Sequence, residues 1–120
     1  MDTQDFVSHA VTRHQRISAQ KCRLVADLIR DRFVGEALTI LHFSARKKLS
    51  LVVEKTLRSA IANAQQKVPN IDVDTLYVAR VLIDQGPAWK RIRPAPMGRA
   101  FRILKRTSHV QIFLKEKKGR

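Results

Sequence analysis

The sequence contains little of what an exported, disulfide-bonded or membrane-spanning protein requires. One cysteine, Cys22, occurs in 120 residues, so no disulfide can form within the chain, and a reducing compartment fits this usage. No apolar run approaches the roughly 20 residues of a membrane-spanning helix. Residues 1–5 are acidic and polar, unlike a secretory signal or an Arg-rich transit peptide. We therefore expect a cytoplasmic protein without a membrane partner.

Motifs for catalysis and for metal or cofactor binding are also missing. The four histidines are dispersed along the chain: His9, His14, His42 and His109. The spacing of a zinc site is absent, and Cys22 is expected to be a structural residue packed on its helix. No phosphate-binding loop, nucleophile elbow or dinucleotide fingerprint occurs. We expect no catalytic residue, no metal, no cofactor and no small-molecule substrate, and hence a protein that is not an enzyme.

Acidic residues are scarce in the last third of the chain, while basic residues are concentrated there. Residues 81–120 carry 11 Lys or Arg against 2 acids, which is +9 of the total net charge of +14. Between Asp84 and Glu116 no acid occurs, and Trp89 and Phe101 are interleaved with eight basic residues. Such a segment cannot neutralise itself, and a nucleic-acid backbone is the natural source of negative charge. The alternative is a solvated basic loop, which self-repulsion makes costly.

Hydrophobic periodicity predicts an α+β fold: three helices packed on a small antiparallel sheet, with one long protruding β-hairpin. Helices are expected at about 19–31, 36–43 and 49–68, and strands at about 6–16, 76–84 and 110–114. The chain is long enough for a single domain over residues 1–120, and its 44% of hydrophobic residues supports a core.

Four local features of the helices are also predicted. Ser18 is expected to cap the first helix, and Val34-Gly35 is expected to be a break before the second. Arg23 and Asp27 are four residues apart and are expected to pair. The inward face of the first helix is predicted to comprise Leu24, Val25, Leu28 and Ile29.

A stretch punctuated by Pro and Gly separates the last two predicted strands. If these strands pair antiparallel, residues from about 85 to 101 form an extended arm, and residues 1–84 and 102–120 form a globular body. An irregular connection of this length is usually functional or disordered. Because the arm has no core of its own, we expect a partner to order it.

The candidate RNA-binding residues fall into two groups. The first surrounds the start of the first helix, where free N–H groups and the helix dipole favour phosphate, although a solvated helix face is the alternative. It comprises Arg13, Arg16, Lys21 and Arg23. The second lies in the arm and its flank, where the aromatic residue could stack on a base or pack on protein. It comprises Trp89, Lys90, Arg91, Arg93, Arg99, Arg102, Lys105 and Arg106. The run Arg46-Lys47-Lys48 is a weaker anion contact, with a solvated run equally plausible.

Several blocks of this sequence carry a family resemblance. The first is SAQKCRLVADLIR at residues 18–30, and a weaker one is SAIANA at residues 59–64. The others lie in the basic region: GPAWKR at 86–91, GRA at 98–100 and ILKRTSH at 103–109. In order and spacing, the chain resembles the bacterial-type family of large-subunit ribosomal protein twenty-two, the exit-tunnel hairpin protein.

The resemblance implies a small α+β body at the surface of the large ribosomal subunit and a β-hairpin that runs into its RNA. It implies binding to large-subunit (23S-type) rRNA, support of subunit assembly, and a hairpin that lines the polypeptide exit tunnel. The implied partners are this rRNA, neighbouring large-subunit ribosomal proteins and the nascent polypeptide. The leading alternative is a basic nucleic-acid-binding protein outside the ribosome; a nuclease would require a metal or acid–base cluster.

Carried over residue by residue, the resemblance assigns RNA contacts to two sets of positions. In the hairpin these are Lys90, Arg91, Arg99, Lys105 and Arg106; in the first block they are Arg16, Lys21 and Arg23. The implied tunnel-facing tip is Pro94, Ala95, Pro96, Met97 and Gly98. Many relatives have arginine where this chain has Ala95, and this chain has gained Pro96. The tip of this chain is therefore expected to lack the contacts that this arginine makes in relatives.

Overall fold

Three helices, a three-stranded sheet and a separate two-stranded hairpin make up the fold. The computed structural model describes residues 6–86, 89–94, 100–105 and 107–116, and within 89–94 and 100–105 it describes the backbone. The elements are β1 (Ser8–Gln15), α1 (Ala19–Ile29), α2 (Val34–His42), α3 (Lys47–Lys67), β2 (Leu76–Gln85), β3 (Trp89–Pro94), β4 (Ala100–Lys105) and β5 (Ser108–Glu116). A short 3₁₀ turn, Val73–Thr75, precedes β2. The predicted α+β class is confirmed.

The main sheet has β5 at its centre, with β1 and β2 paired antiparallel to it on either side. Ala10 of β1 lies opposite Ile112, and Ile83 of β2 lies opposite Val110. On β5, Val110, Ile112 and Leu114 are buried, as the alternation of that segment predicts. The sheet therefore presents one apolar face on which the helices pack.

Helix α3 covers the sheet and supplies the centre of the core. Its buried apolar residues recur at helical spacing: Val53, Leu57, Ala60 and Ala64. The hydroxyl oxygens of Thr12 and Thr56 lie 2.6 Å apart, and Ser8 Oγ donates to the Ala60 carbonyl at 2.7 Å. Because the later residue of β1 contacts the earlier residue of α3, the two elements are antiparallel. The start of α3 therefore lies at the end of the sheet where β1 ends.

Helix α1 buries a different face from the one that the sequence predicts. Leu24 and Leu28 are 53% and 51% exposed, so their predicted inward position is wrong. Val25 and Ile29 are buried as predicted, together with Cys22 and Ala26. Cys22 and Ala26 have small side chains, which allow the helix to approach the sheet closely. The helix is therefore oriented with the face that carries them pointing inward.

The predictions for the starts of α1 and α2 were only partly correct. Ser18 occupies the N-cap position of α1, but its side chain makes no capping hydrogen bond; its carbonyl accepts from the Cys22 N–H at 2.9 Å. The predicted break at Val34-Gly35 is wrong, because α2 begins at Val34. Burial of the Val34 side chain in the core favours the helix there, and a single glycine in the first turn costs too little to prevent it.

The hairpin consists of β3 and β4, which form a sheet of their own. Trp89 pairs with Lys105 at one end of this ladder, and Pro94 pairs with Ala100 at the other. The molecule measures 68 × 29 × 21 Å, with a Cα radius of gyration of 17.5 Å. A compact chain of this length would have a radius of about 14 Å. The fold is therefore elongated, while the extent of the arm as a unit, about 85–101, stays a prediction.

Burial in the core controls the chemistry of Cys22. Its side chain is fully buried, and this desolvation raises the pKa of the thiol from 9.0 to about 11. The native state therefore holds the proton more tightly than the unfolded chain does. The resulting stabilisation is fully present below about pH 9 and is lost as the pH rises through about 11.

We therefore expect the wild-type free energy of unfolding to fall more steeply at alkaline pH than that of Cys22→Ala. Between about pH 8 and about pH 11 the difference should reach roughly 2 kcal/mol. Urea unfolding of both proteins at the two pH values measures it, and the variant serves as the control for the other groups that titrate in this range. Parallel losses in the two proteins would contradict the buried-thiol account.

Candidate nucleic-acid interface

The hairpin leaves the body at the end of the sheet where β1 and β2 finish and β5 begins. Ser108 of β5 lies opposite Gln15 on one side and opposite Gln85 on the other. The Gly86 N–H then donates to the Thr107 carbonyl at 2.9 Å. We call this region, formed by Gly86, Thr107, His109 and His14, the hairpin root. It carries the last inter-strand hydrogen bond described before the β3–β4 ladder.

Two of the dispersed histidines meet at the hairpin root. The His14 backbone N–H donates to Nδ1 of His109 at 3.0 Å, and the two rings pack edge to face with centroids 4.8 Å apart. His14 has a φ of 57°, in the left-handed region that non-glycine residues seldom occupy, within an irregularity of β1 between Thr12 and Gln15. The acceptor role requires Nδ1 of His109 to be unprotonated in this arrangement. The sequence contains no signal for this contact, since 95 residues separate its members.

Gly86 is required at the hairpin root because there is no room for a side chain. A Cβ at this position would lie 2.6 Å from Thr107 Oγ1 and 3.0 Å from His109 Nε2. Thr107 is buried and β-branched, so it has little freedom to move away.

We expect Gly86→Ala to destabilise the protein by about 1–3 kcal/mol, because the added methyl group overpacks the root. Gly35→Ala is the matched control, since no atom lies within 4 Å of a Cβ there. In helix α2 that change should be stabilising by roughly 0.5–1 kcal/mol. Thermal unfolding of both variants gives the comparison. A Gly86→Ala protein as stable as the wild type would show that the root is not tightly packed.

The first predicted basic group lies beside the hairpin root. Arg13 and Arg16 flank the end of β1, and Lys21 lies in the first turn of α1, which follows directly; all three are exposed. Because β1 ends where the hairpin leaves the sheet, this group is next to the base of the β3–β4 ladder. The first basic group and the basic hairpin are far apart in the sequence. In the structure they therefore approach each other at one end of the molecule.

Arg23 has a structural partner that the sequence does not predict. Its Nε and Nη2 donate to the Ile83 carbonyl at 3.2 and 2.9 Å, and Nη2 of Arg30 donates to the Val81 carbonyl at 3.0 Å. These carbonyls lie on the outer edge of β2, so the two arginines cover an open sheet edge. The expected Arg23–Asp27 pair is absent, and Asp27 pairs with Arg30 at 3.5 Å instead. Contact of Arg23 with RNA stays a prediction, and it would use the guanidinium N–H groups that do not bond to the Ile83 carbonyl.

The other candidate residues fall in the hairpin. Six lie in the described ladder, where register positions but no side chains are defined: Trp89, Lys90, Arg91, Arg93, Arg102 and Lys105. Pro94 is the last residue of β3. Six others lie outside the described residues: Arg99, Arg106, Ala95, Pro96, Met97 and Gly98.

Among the residues that the structure describes, no acidic partner neutralises the basic group beside the hairpin root. In the described part of the chain, the ion pairs join residues three or four apart and are Asp27–Arg30, Arg32–Glu36 and Glu54–Arg58. None of them includes Arg13, Arg16 or Lys21. Cations that remain without acid partners attract a polyanion over several ångströms, and clustering them at one end directs that attraction.

The described residues provide neither a metal-binding cluster nor a membrane-spanning helix. Within these residues, no group of three or more His, Cys, Asp or Glu side chains is placed to hold a metal ion. No helix in the described ranges is both long and apolar enough to cross a bilayer.

Comparison with known proteins identifies the family. Residues 10–115, which span almost all of β1 to β5, match the family described as Ribosomal protein L22p/L17e. The large ribosomal subunit protein uL22 of Maridesulfovibrio salexigens is 50% identical over 109 residues, 91% of this chain and 97% of that protein. The proteins of the same name from Solibacter usitatus and Syntrophobacter fumaroxidans are 49% and 51% identical, over 92% and 90% of this chain and 96% of each relative. The chain therefore belongs to the ribosomal protein L22p/L17e family.

Proposed function

We propose that this chain is a structural, non-catalytic constituent of the large ribosomal subunit in the cytoplasm. It binds large-subunit rRNA and supports assembly of the subunit. The observation that carries the proposal is the arrangement at one end of the sheet, where a β-hairpin leaves the body beside exposed cations that have no acid partner among the described residues. The names of the relatives, each a large ribosomal subunit protein, support the assignment of that RNA.

In this proposal the body and the arm have different tasks. The body, residues 1–84 and 102–120, lies at the subunit surface and contacts rRNA and neighbouring ribosomal proteins through its hairpin end. The arm, about 85–101, extends between RNA segments, and its tip lines the tunnel along which the nascent polypeptide leaves. An isolated two-stranded hairpin is marginally stable in water, so the surrounding RNA provides the contacts that hold it.

The assignment of roles within the arm and the adjoining end of β4 follows from the charge of these segments. Lys90 and Arg91 on β3, with Arg99, Lys105 and Arg106 in and around β4, contact phosphates and anchor the stem. The tip residues from Pro94 to Gly98 carry no charged side chain. They suit a surface that faces open space and a passing polypeptide.

A basic nucleic-acid-binding protein outside the ribosome is the alternative. The two functions differ in how salt affects the bound protein. A protein surrounded by folded RNA stays bound, because its release requires the RNA to open, whereas a superficial cationic binder is displaced as counterions compete.

Sedimentation of large subunits through a high-salt wash, followed by quantification of this chain, tests the proposal. One copy per subunit after the wash is the expected result. Loss of the chain in the wash, in parallel with an added basic control protein, would favour the alternative.

A further inference from the structure

A recess between α2 and α3 forms a second surface at the hairpin end of the body. It has a volume of about 200 Å³, and its lining residues are Leu41, His42, Lys47, Ser50, Leu51 and Glu54. We call it the α2–α3 recess. Because α3 runs antiparallel to β1, this recess lies at the end of the sheet from which the hairpin leaves. The recess therefore lies at the same end of the molecule as the proposed RNA-binding surface.

Ser50 supplies an unused hydrogen-bonding group in this recess. Its side chain is 2% exposed, and Oγ has no hydrogen-bond partner in the described structure. Buried hydroxyl groups in folded proteins are nearly always bonded, so an orphaned one suggests a missing partner. The residue lines the recess but Oγ is closed to solvent, so a polar group in the recess bonds to this oxygen once the side chains around Ser50 shift.

The chain beside the α2–α3 recess combines aromatic rings with cations. Phe43 is 77% exposed, and its ring packs edge to face on the ring of His42 with centroids 4.9 Å apart. Arg46, Lys47 and Lys48 follow within five residues and are all exposed. Lys47 Nζ donates to the His42 carbonyl at 3.0 Å, which holds this ammonium group at the rim. An exposed aromatic beside cations is the combination that binds unpaired bases and their phosphates.

The interior of the recess favours a neutral planar group over an anion. Glu54 contributes a carboxylate whose side chain is 17% exposed and which pairs with Arg58 at 3.4 Å. A phosphate inside would face this carboxylate, whereas the amino group of a base donates to such an acceptor. The volume is below that of sites for drug-sized ligands, so a single base fits better than a larger cofactor.

We propose that the α2–α3 recess takes one unstacked base of the large-subunit rRNA. The Ser50 hydroxyl bonds to the edge of that base, and Phe43 stacks on it or on its neighbour. Arg46, Lys47 and Lys48 contact the flanking phosphates. This inference rests on the proposed function, because it assigns a second contact on the same RNA.

Two substitutions test this inference in binding assays of the full chain with large-subunit rRNA. Ser50→Ala removes an oxygen that has no partner among the described residues, so the thermal midpoint should not fall, while RNA affinity should drop roughly 2- to 10-fold. Phe43→Ala should weaken binding roughly 5- to 100-fold without changing the salt slope, and Phe43→Trp should restore it. Val68→Ala removes an exposed apolar side chain just beyond the opposite end of α3 and should have no effect.

Ultraviolet crosslinking of the same complexes identifies the contact directly. After digestion, nucleotide adducts are expected on the tryptic peptide Phe33–Arg46 or Leu49–Lys55, besides adducts on hairpin peptides. Wild-type affinity of both variants, with adducts confined to the hairpin, would overturn the inference and leave the proposed function intact. Unchanged affinity for naked RNA with impaired entry into subunits would assign the recess to a neighbouring protein instead and would equally overturn it. Adducts on no peptide would instead count against the proposed function.

Discussion

Binding of the free protein to naked large-subunit rRNA, in contrast to its retention in the assembled subunit, should weaken about a thousandfold or more when the salt concentration rises from about 50 to about 200 mM. The reason is counterion release: about 8 phosphate contacts, supplied by the hairpin and by the first basic group, each return condensed ions to solution. Affinities measured across this range in equilibrium titrations give the slope of log K against log salt. A slope near zero would show that phosphate contacts do not dominate.

The same titration, repeated with variants, shows which residues contribute to the slope of log K against log salt. Replacing Lys90 and Arg91 by glutamine should reduce the magnitude of the slope by about 1.4–1.8, which corresponds to two phosphate contacts. Lys67→Gln is the matched control, because this exposed cation ends α3 at the far end of the body. A control variant that reduces the slope as much as the hairpin variant would indicate a diffuse charge effect rather than contacts at the hairpin.

Deleting Met97-Gly98-Arg99 should leave the protein folded and able to enter the large subunit, yet change the exit tunnel. The core that the structure describes lies in the helices, in the β1–β5–β2 sheet and at Ile17 between β1 and α1, so the body keeps this packing without the tip. In the proposed function, the stem residues Lys90 and Arg91 remain to anchor the hairpin. The altered bore should then change the stalling of nascent chains or the binding of antibiotics that occupy the tunnel.

Ribosomes purified with the deletion variant provide the measurement. Incorporation is quantified per large subunit, and drug binding and stalling are compared with those of wild-type ribosomes. Deletion of three residues from the exposed turn at Pro69-Asn70 controls for a general effect of shortening the chain. Normal incorporation with unchanged stalling and unchanged drug binding would show that the tip does not line the tunnel.

The order of the elements was predictable because each has its own periodicity. The run from Leu49 to Ala64 keeps a helical stripe for four turns, and β5 alternates from Ser108 to Ile112 before the buried apolar run Ile112–Leu114, so burial and local preference largely agree. The orientation of α1 was not predictable from its own residues. Leucine, isoleucine and valine side chains lie on more than one face of this helix: Leu24, Val25, Leu28 and Ile29. The face that packs on the sheet is the one with Cys22 and Ala26, because small residues permit close approach.

The candidate site was predictable in composition but not in geometry. The acid-free window and the basic group near α1 are visible in the sequence, and so is the family resemblance. Their convergence at one end depends on which strand lies next to which, and this is set by pairs such as Gln15 with Ser108. The hydrogen bonds of Arg23 to the edge of β2 could not be predicted from the sequence for the same reason. The contact between His14 and His109 likewise exists only after the sheet has formed.

The central claim is that this chain is built into the large subunit with its hairpin embedded in rRNA. A crosslinking map from this chain onto the RNA of purified large subunits tests it most directly. The account predicts that crosslinks from the region of Lys90 and Arg91 and from that of Arg16 and Lys21 converge on adjoining segments of folded large-subunit rRNA, at one protein per subunit. Crosslinks scattered over the RNA at variable stoichiometry, or a map without contacts from the hairpin, would contradict it.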